Sequence, residues 1–140
     1  PAREVCRVDR PATTTPLQAL VLWNDPQFVE VSVALARRAL DAADADEARV
    51  DFLVRSLASR PATDEEREAM VALLSAQRDA YAADPAAARA LANFDLERAA
   101  HPGDEAPAEA TVGDEQAAEV AATAVVASAL LGIPDVVQRR

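Results

Sequence analysis

The sequence has 140 residues, a formal net charge of −10 and an aromatic content of only 4%. That length fits one domain with a core, and the negative charge argues against nucleic acid or an anionic membrane surface as a partner. No apolar stretch reaches the roughly 18 residues that a transmembrane helix needs, so we expect no membrane insertion.

The composition favours helices throughout the chain. Ala, Leu, Glu and Arg dominate the sequence, and all four are good helix formers. The chain has only 3 glycines, and it contains no Asn-Gly or Asp-Gly pair to mark a hairpin. We therefore predict an all-α fold, an irregular bundle of about five to six helices with one long acidic loop.

A first helix is predicted after an extended, arginine-rich lead-in. Thr15 is its expected N-cap, and Pro16 occupies the first helical position, where a missing N–H is tolerated. Gln18 lies three residues after Thr15 and completes a capping box. Leu17 begins the apolar face, and we expect the helix to end near Trp23 after about two turns.

A second helix that starts at a proline follows at once. Asp25 caps it and Pro26 begins it, and the pattern predicts a helix over residues 26–41 with a wide apolar surface. Because that surface is so broad, we expect this helix to be central and buried against more than one neighbour. Trp23 and Asn24 form the junction, where Trp23 is either a staple that fixes the angle between the helices or part of a ligand surface.

The two helices together present more apolar surface than we expect this chain to cover. Phe28, Val31 and Leu35 lie on that surface. The sequence begins at Pro1 without an initiator Met, which we interpret as the mark of a fragment. We therefore expect residues 1–140 to be a single helical region, the C-terminal part of a larger domain whose upstream portion packs against it.

Four further helices are predicted from apolar periodicity, caps and prolines. Their expected ranges are 46–59, 63–81, 85–92 and 115–131. Thr63 and Glu66 form a second capping box, and Asp84 and Asp114 are expected to cap the last two helices. Residues 93–113 lack periodicity and carry prolines, glycines and acids, so we predict a mobile surface loop there.

Few side chains are candidates for chemistry. The chain lacks a glycine-rich phosphate loop and the common zinc and calcium motifs. Its one histidine, His101, falls in the predicted loop, where an exposed histidine is a simpler interpretation than a haem or metal ligand. Its one cysteine, Cys6, is a thiol nucleophile without a neighbouring base, a buried thiol, or half of a disulfide whose partner lies upstream. We predict no catalytic, metal-binding or cofactor-binding residue within the chain.

Two pairs of adjacent carboxylates leave open a site for a hard cation. They are Asp104/Glu105 in the predicted loop and Asp114/Glu115 at the start of the last helix. Charged residues beside a helix start more often cap the helix or face solvent, and we favour that role for both pairs.

The N-terminal motif carries a family resemblance. It begins with Cys6 and a basic residue, continues as Thr-Pro-Leu-Gln-Ala-Leu over residues 15–20, and reaches Trp-Asn-Asp-Pro over residues 23–26. A later turn reads Arg-Pro-Ala-Thr over residues 60–63. The chain thereby resembles the planctomycete-type domain of unknown function that closes large secreted proteins, many of which carry an N-terminal cytochrome c module.

This resemblance implies that the parent protein is exported, to the periplasm or out of the cell, and that it holds haem c elsewhere. The present chain has no Cys-x-x-Cys-His motif, so no haem is its own. The resemblance also marks the motif residues as structural or pocket-lining: Thr15, Pro16, Leu17, Gln18, Trp23, Asn24, Asp25 and Pro26.

Three functions are consistent with these patterns. We favour a non-catalytic C-terminal packing or docking segment for the upstream domain of the same polypeptide. The second hypothesis is an enzyme, for example one that degrades polysaccharides, whose pocket is completed by upstream residues and uses Asp25 as an acid/base or a substrate contact. The third is an acidic docking surface for an electron-transfer partner.

Overall fold

The computed structural model describes residues 24–95 and 113–133, and these ranges contain helices but no strand. Five helices follow one another: α1 (Pro26–Ala42), α2 (Asp46–Ala58), α3 (Asp64–Ala83), α4 (Pro85–Ala92) and α5 (Asp114–Leu131). The prediction of an all-α bundle is confirmed, and each of these helices begins and ends within about two residues of its expected range. None of them is both long and apolar enough to cross a membrane.

Several predictions fall on residues outside the described ranges. They concern the first helix, the candidate disulfide half, the single histidine, one carboxylate pair and most of the acidic loop. The residues are Cys6, Thr15, Pro16, Leu17, Gln18, Trp23, His101, Asp104 and Glu105. Of the N-terminal motif, the described part is Asn24, Asp25 and Pro26.

Local capping signals start three helices as predicted. Asp25 accepts a hydrogen bond of 2.9 Å from the backbone N–H two residues later. Thr63 and Glu66 form a reciprocal capping box, in which each backbone N–H donates to the other's side chain, at 2.9 and 3.2 Å. Asp84 accepts from the backbone N–H of Ala87 at 3.0 Å. Each cap satisfies an N–H that the helix itself leaves without a partner.

The start of α5 differs from the prediction. Gly113 is the N-cap, and Asp114 is the first helical residue. The carboxylate of Asp114 pairs with Arg89 of α4, and it also lies where the partial positive charge of a helix N-terminus favours an anion. Asp114 therefore joins α5 to α4 instead of capping its own helix.

The central helix is α5, and the prediction that α1 is central was wrong. α5 packs against each of the other four helices, whereas α1 packs chiefly against α2 and α5. Ten of the 18 residues of α5 are buried, and six of these are alanines. Small side chains let neighbouring helices approach α5 from several directions, and a helix that is apolar on all sides is typically buried. Apolar residues on all sides of α5 indicate the central helix better than the wide apolar surface of α1 does.

Little of the apolar surface of α1 is exposed to solvent in the fold. Leu35 is buried with 8% of its surface exposed, and Phe28 is half-buried. Val31, at 46%, is the exposed large hydrophobic residue of the described ranges. A single exposed hydrophobic side chain is ordinary on a protein surface.

Two apolar clusters share α5 as their common wall. The larger one joins α1, α2 and α3 to the second half of α5, and its fully enclosed members include Leu53, Leu74 and Leu130. The smaller one joins α1 and α4 to the first half of α5, largely through alanines. Tyr81 of α3 packs against both clusters. Since both clusters need α5, the other four helices have no complete core without it.

Candidate functional site

An apolar groove lies on α5 between α1 and α4. It has a volume of about 230 Å³ and is partly open to solvent. Its lining comes from three helices: Val29, Ser32, Leu91, Ala124, Val125 and Ser128. None of these side chains is charged, so the groove suits an apolar occupant.

The groove exists because α4 is too short to cover α5. α4 has 8 residues and α5 has 18, which correspond to lengths of about 12 and 27 Å. Pro85 at the start of α4 lies near Asp114 and Ala118, while Leu91 near its end lies beside Ala124. The two helices therefore start level with each other, and beyond Ala124 the helix α4 no longer covers that side of α5.

One of the two serine hydroxyls that line the groove is already bonded within α1. The hydroxyl of Ser32 donates a hydrogen bond of 2.7 Å to the carbonyl oxygen of Phe28, within α1, and Ser32 is only 3% exposed. The guanidinium of Arg37, further along α1, donates to the carbonyl oxygen of Ala92 at 2.7 Å. That bond satisfies a carbonyl at the C-terminal end of α4 and holds this end against α1. The groove thus has a preformed shape.

The described part of the N-terminal motif lies at one end of this groove. Asp25 caps α1 in an extended conformation, with φ −75° and ψ 122°. Val29, which lines the groove, lies one turn further on and donates its backbone N–H to the carbonyl oxygen of Asp25 at 3.1 Å. The chain therefore joins the bundle beside the groove, and the carboxylate of Asp25 has the geometry of a helix cap.

Four charged side chains from three helices form an ion-pair network away from the groove. Arg78 of α3 binds Asp46 of α2 through two hydrogen bonds, of 2.9 and 3.1 Å, and it also pairs with Glu119 of α5. Arg49 of α2 reaches both acids, Asp46 at 3.2 Å and Glu119 at 3.3 Å. Two cations and two anions thus alternate at the junction of three helices.

Each arginine of the network pairs with both acids, an arrangement that is typical of a structural contact. Hydrogen bonds from Arg78, opposed by partial burial, hold the pKa of Asp46 below its ordinary value. The pKa of Arg78 is raised, chiefly by its hydrogen bonds to Asp46 and Glu119. Asp46 and Arg78 are each stabilised in the charged form, so neither of these two groups is poised to transfer a proton near neutral pH.

A second ion pair strengthens the turn between α2 and α3. Arg60 donates two hydrogen bonds to Glu66, of 2.6 and 2.7 Å, in a bidentate arrangement. Together with the backbone N–H of Thr63, this arginine lowers the pKa of Glu66 to about 2. The carboxylate therefore serves the capping box and the ion pair at once.

Acidic side chains also border a shallow depression beside the start of α5. They are Asp41, Asp114, Glu115 and Glu119, and the second and fourth are already paired with arginines. Within residues 24–95 and 113–133, no group of three or more His, Cys, Asp or Glu side chains is arranged to hold a metal ion. The cation alternative for Asp114/Glu115 gains no support, because the partner of Asp114 is Arg89.

Sequence reasoning missed the residues that line the groove and those of the network. Val125 and Ser128 fall in the last predicted helix, but a helical range alone does not show which of its side chains line a groove. The partners of Arg78 lie 32 and 41 positions away in the chain. No local spacing rule connects residues so far apart, since helical pairing signals reach only three or four positions.

Comparison with known proteins gives a family match for the N-terminal half of the chain. The family model PSD1, described as a protein of unknown function (DUF1553), matches residues 1–74. No curated protein and no solved structure matches the chain. The matched range includes α1, α2 and part of α3 but stops before α5, the helix that completes both clusters.

Proposed function

The chain belongs to the DUF1553 family of proteins of unknown function, and we propose that its helical bundle is a non-catalytic docking element for the polypeptide that precedes it. In this role the packed helices α1 to α5 provide the binding surface. An apolar segment of the polypeptide that precedes α1 packs into the groove. The observation that carries the proposal is the groove itself, with its uncharged lining beside the start of α1.

Three features of the structure support a docking role. The helices around the groove are held by side-chain contacts, such as the bond from Arg37 to the end of α4. The groove does not need to form when its occupant arrives, so little ordering free energy opposes binding. The small side chains of Ala124 and Ser128 in its wall allow close approach of another segment.

The proposal extends to the parent protein. We place it in the periplasm or outside the cell, with haem c in a separate module upstream of this chain. The support is the motif over residues 15–26, through its resemblance to a domain that closes secreted, cytochrome c-associated proteins. Cell fractionation and haem staining of the native protein test this part, and a cytoplasmic parent without haem would contradict it.

Limited proteolysis of the full-length protein tests the docking role. Val125→Arg places a charge in the groove, and Val31→Arg makes the same change at an exposed position of α1 outside it. We expect Val125→Arg to speed cleavage in the polypeptide before residue 24, because its contact with the bundle is lost, and Val31→Arg to leave the cleavage rate unchanged.

A second variant separates loss of docking from loss of folding. Val125→Thr keeps the side-chain shape and adds one hydroxyl to the groove, at a smaller cost to the bundle than an arginine. We expect a smaller increase in cleavage from this change, with the helical circular dichroism of the protein intact. Wild-type cleavage in both groove variants, with the bundle folded, would show that nothing upstream docks there.

A further inference from the structure

We propose that the occupant of the groove is the chain's own residues 15–23, packed antiparallel to α1 with Trp23 next to Val29. This inference rests on the proposed function, since it names the segment that the docking element holds. Three properties of the molecule support it: the place where the chain joins the bundle, the chemistry of the groove and the length of the segment.

The connection at the start of α1 is short and turns the chain. Asp25 is extended and Pro26 begins the helix, so the residues before Asp25 cannot continue the axis of α1 backwards as one helix. Helices joined by a few residues generally pack as antiparallel neighbours. A segment that turns back along α1 passes Val29 and then Ser32, and both line the groove.

The apolar character of residues 15–23 matches the uncharged lining. Five of these nine residues are large and hydrophobic: Leu17, Leu20, Val21, Leu22 and Trp23. The other end of the groove lies near Leu91, but the sequence after Asp95 carries four acids and one arginine before Gly113. A charged segment would lose its hydration in an uncharged groove without gaining partners. Of these two segments, the N-terminal one therefore fits the lining of the groove better.

The dimensions of the groove argue against a second copy of the chain. Its lining comprises six side chains, whereas a stable interface between two proteins buries about 1,200–2,000 Å² in total. Nine residues in a helix span about 14 Å, a length comparable to the part of α5 that α4 leaves uncovered. One short segment of the same chain is thus the occupant that fits.

Photo-crosslinking from the groove tests the assignment. Val125 is replaced by p-benzoylphenylalanine in the full-length protein, and the cross-linked peptides are identified by mass spectrometry. We expect the main product to join position 125 to residues 15–23, with no such product from the same replacement at Val31. The helical circular dichroism of both variants is compared with that of the wild type.

Each other outcome of this experiment has a separate meaning. A cross-link to polypeptide upstream of residue 15 would overturn this inference while supporting the docking role. A cross-link to residues 96–112, a product from a second copy, or no product in a folded protein would overturn both.

Fluorescence of the 140-residue chain gives an independent measurement, because Trp23 is its only tryptophan. Val125→Arg should shift its emission to longer wavelength, since the indole becomes hydrated, while Val31→Arg should leave the emission unchanged. If replacement of Val125 by p-benzoylphenylalanine disturbs folding, the milder Val125→Thr tests whether residues 15–23 occupy the groove. We expect a smaller shift of the emission in the same direction. No shift in a folded Val125→Thr and Val125→Arg would overturn the assignment of residues 15–23.

Discussion

Arg78 binds both carboxylate oxygens of Asp46, at 2.9 and 3.1 Å, although 32 positions of the chain separate the two residues. Through this pair and its contact with Glu119, one guanidinium ties α2, α3 and α5 together. The side chains keep 27 to 31% of their surface exposed, so solvent screens part of their attraction.

Arg78→Met should lower the free energy of unfolding by about 1–2 kcal/mol, the range for a hydrogen-bonded charge pair that is partly screened. The two acids would then share Arg49 alone. Chemical denaturation of the variant and of Arg55→Met, an exposed arginine of α2, measures the difference. Equal losses in the two variants would show that the network adds nothing beyond a surface charge.

Glu66→Gln should destabilise the protein at neutral pH, and the difference from wild type should disappear in acid. The pKa of Glu66 is lowered from 4.5 to about 2 in the fold. Its contribution is therefore fully present above pH 4.5 and is lost as the pH falls toward 2. Thermal melts of both proteins between pH 7 and pH 2 check this, with Glu68→Gln as an exposed control on the same helix. A difference that persists at pH 2 would contradict the ion-pair explanation.

Ala127→Leu should cost about 1–3 kcal/mol or more, because extra methyl groups do not fit in a close-packed interior. Ala127 has no exposed surface, and α5 contacts its neighbours through alanines of this kind. Ala76→Leu makes the same change at an exposed position of α3 and should have little effect. Denaturant melts of the two variants give the comparison, and a neutral Ala127→Leu would mean that α5 is more loosely enclosed than the structure shows.

Asp25→Ala should cost about 0.5–2 kcal/mol, the typical loss for an N-cap, whereas Asp25→Asn should nearly preserve stability. The amide oxygen of asparagine can accept the same backbone hydrogen bond that Asp25 accepts at 2.9 Å. Stability of both variants is measured by thermal melting. If an activity is found for the full-length protein, loss of that activity in a stable Asp25→Asn protein would favour the enzymatic hypothesis over capping.

A chain that ends at residue 95 should lack a cooperative unfolding transition. It retains α1 to α4, but the walls that α5 supplies to both clusters are missing. Circular dichroism should show residual helix that melts gradually, whereas the chain of residues 1–140 should melt in one step. A sharp melt of the shortened chain would show that the part matched by the family model folds without α5.

The helix boundaries could be predicted because their signals are local. Asp25 with Pro26, the Thr63/Glu66 capping box and Asp84 each act within three residues, and the structure confirms all of them. The groove could not be predicted in this way. It depends on the lengths of α4 and α5 and on how they are aligned, and no single segment carries that information. The ion-pair network could not be predicted for the same reason, because Arg78 contacts its partners only after three helices have packed.

The position of α5 at the centre of the bundle has a consequence for biosynthesis. The ribosome synthesises α1 to α4 before it synthesises α5, the helix against which all four pack. Folding dominated by contacts between distant parts of a chain is slow, and exposed apolar surface in unfinished intermediates favours aggregation. The apolar faces of α1 to α4 therefore remain without their common partner until residues 114–131 leave the exit tunnel.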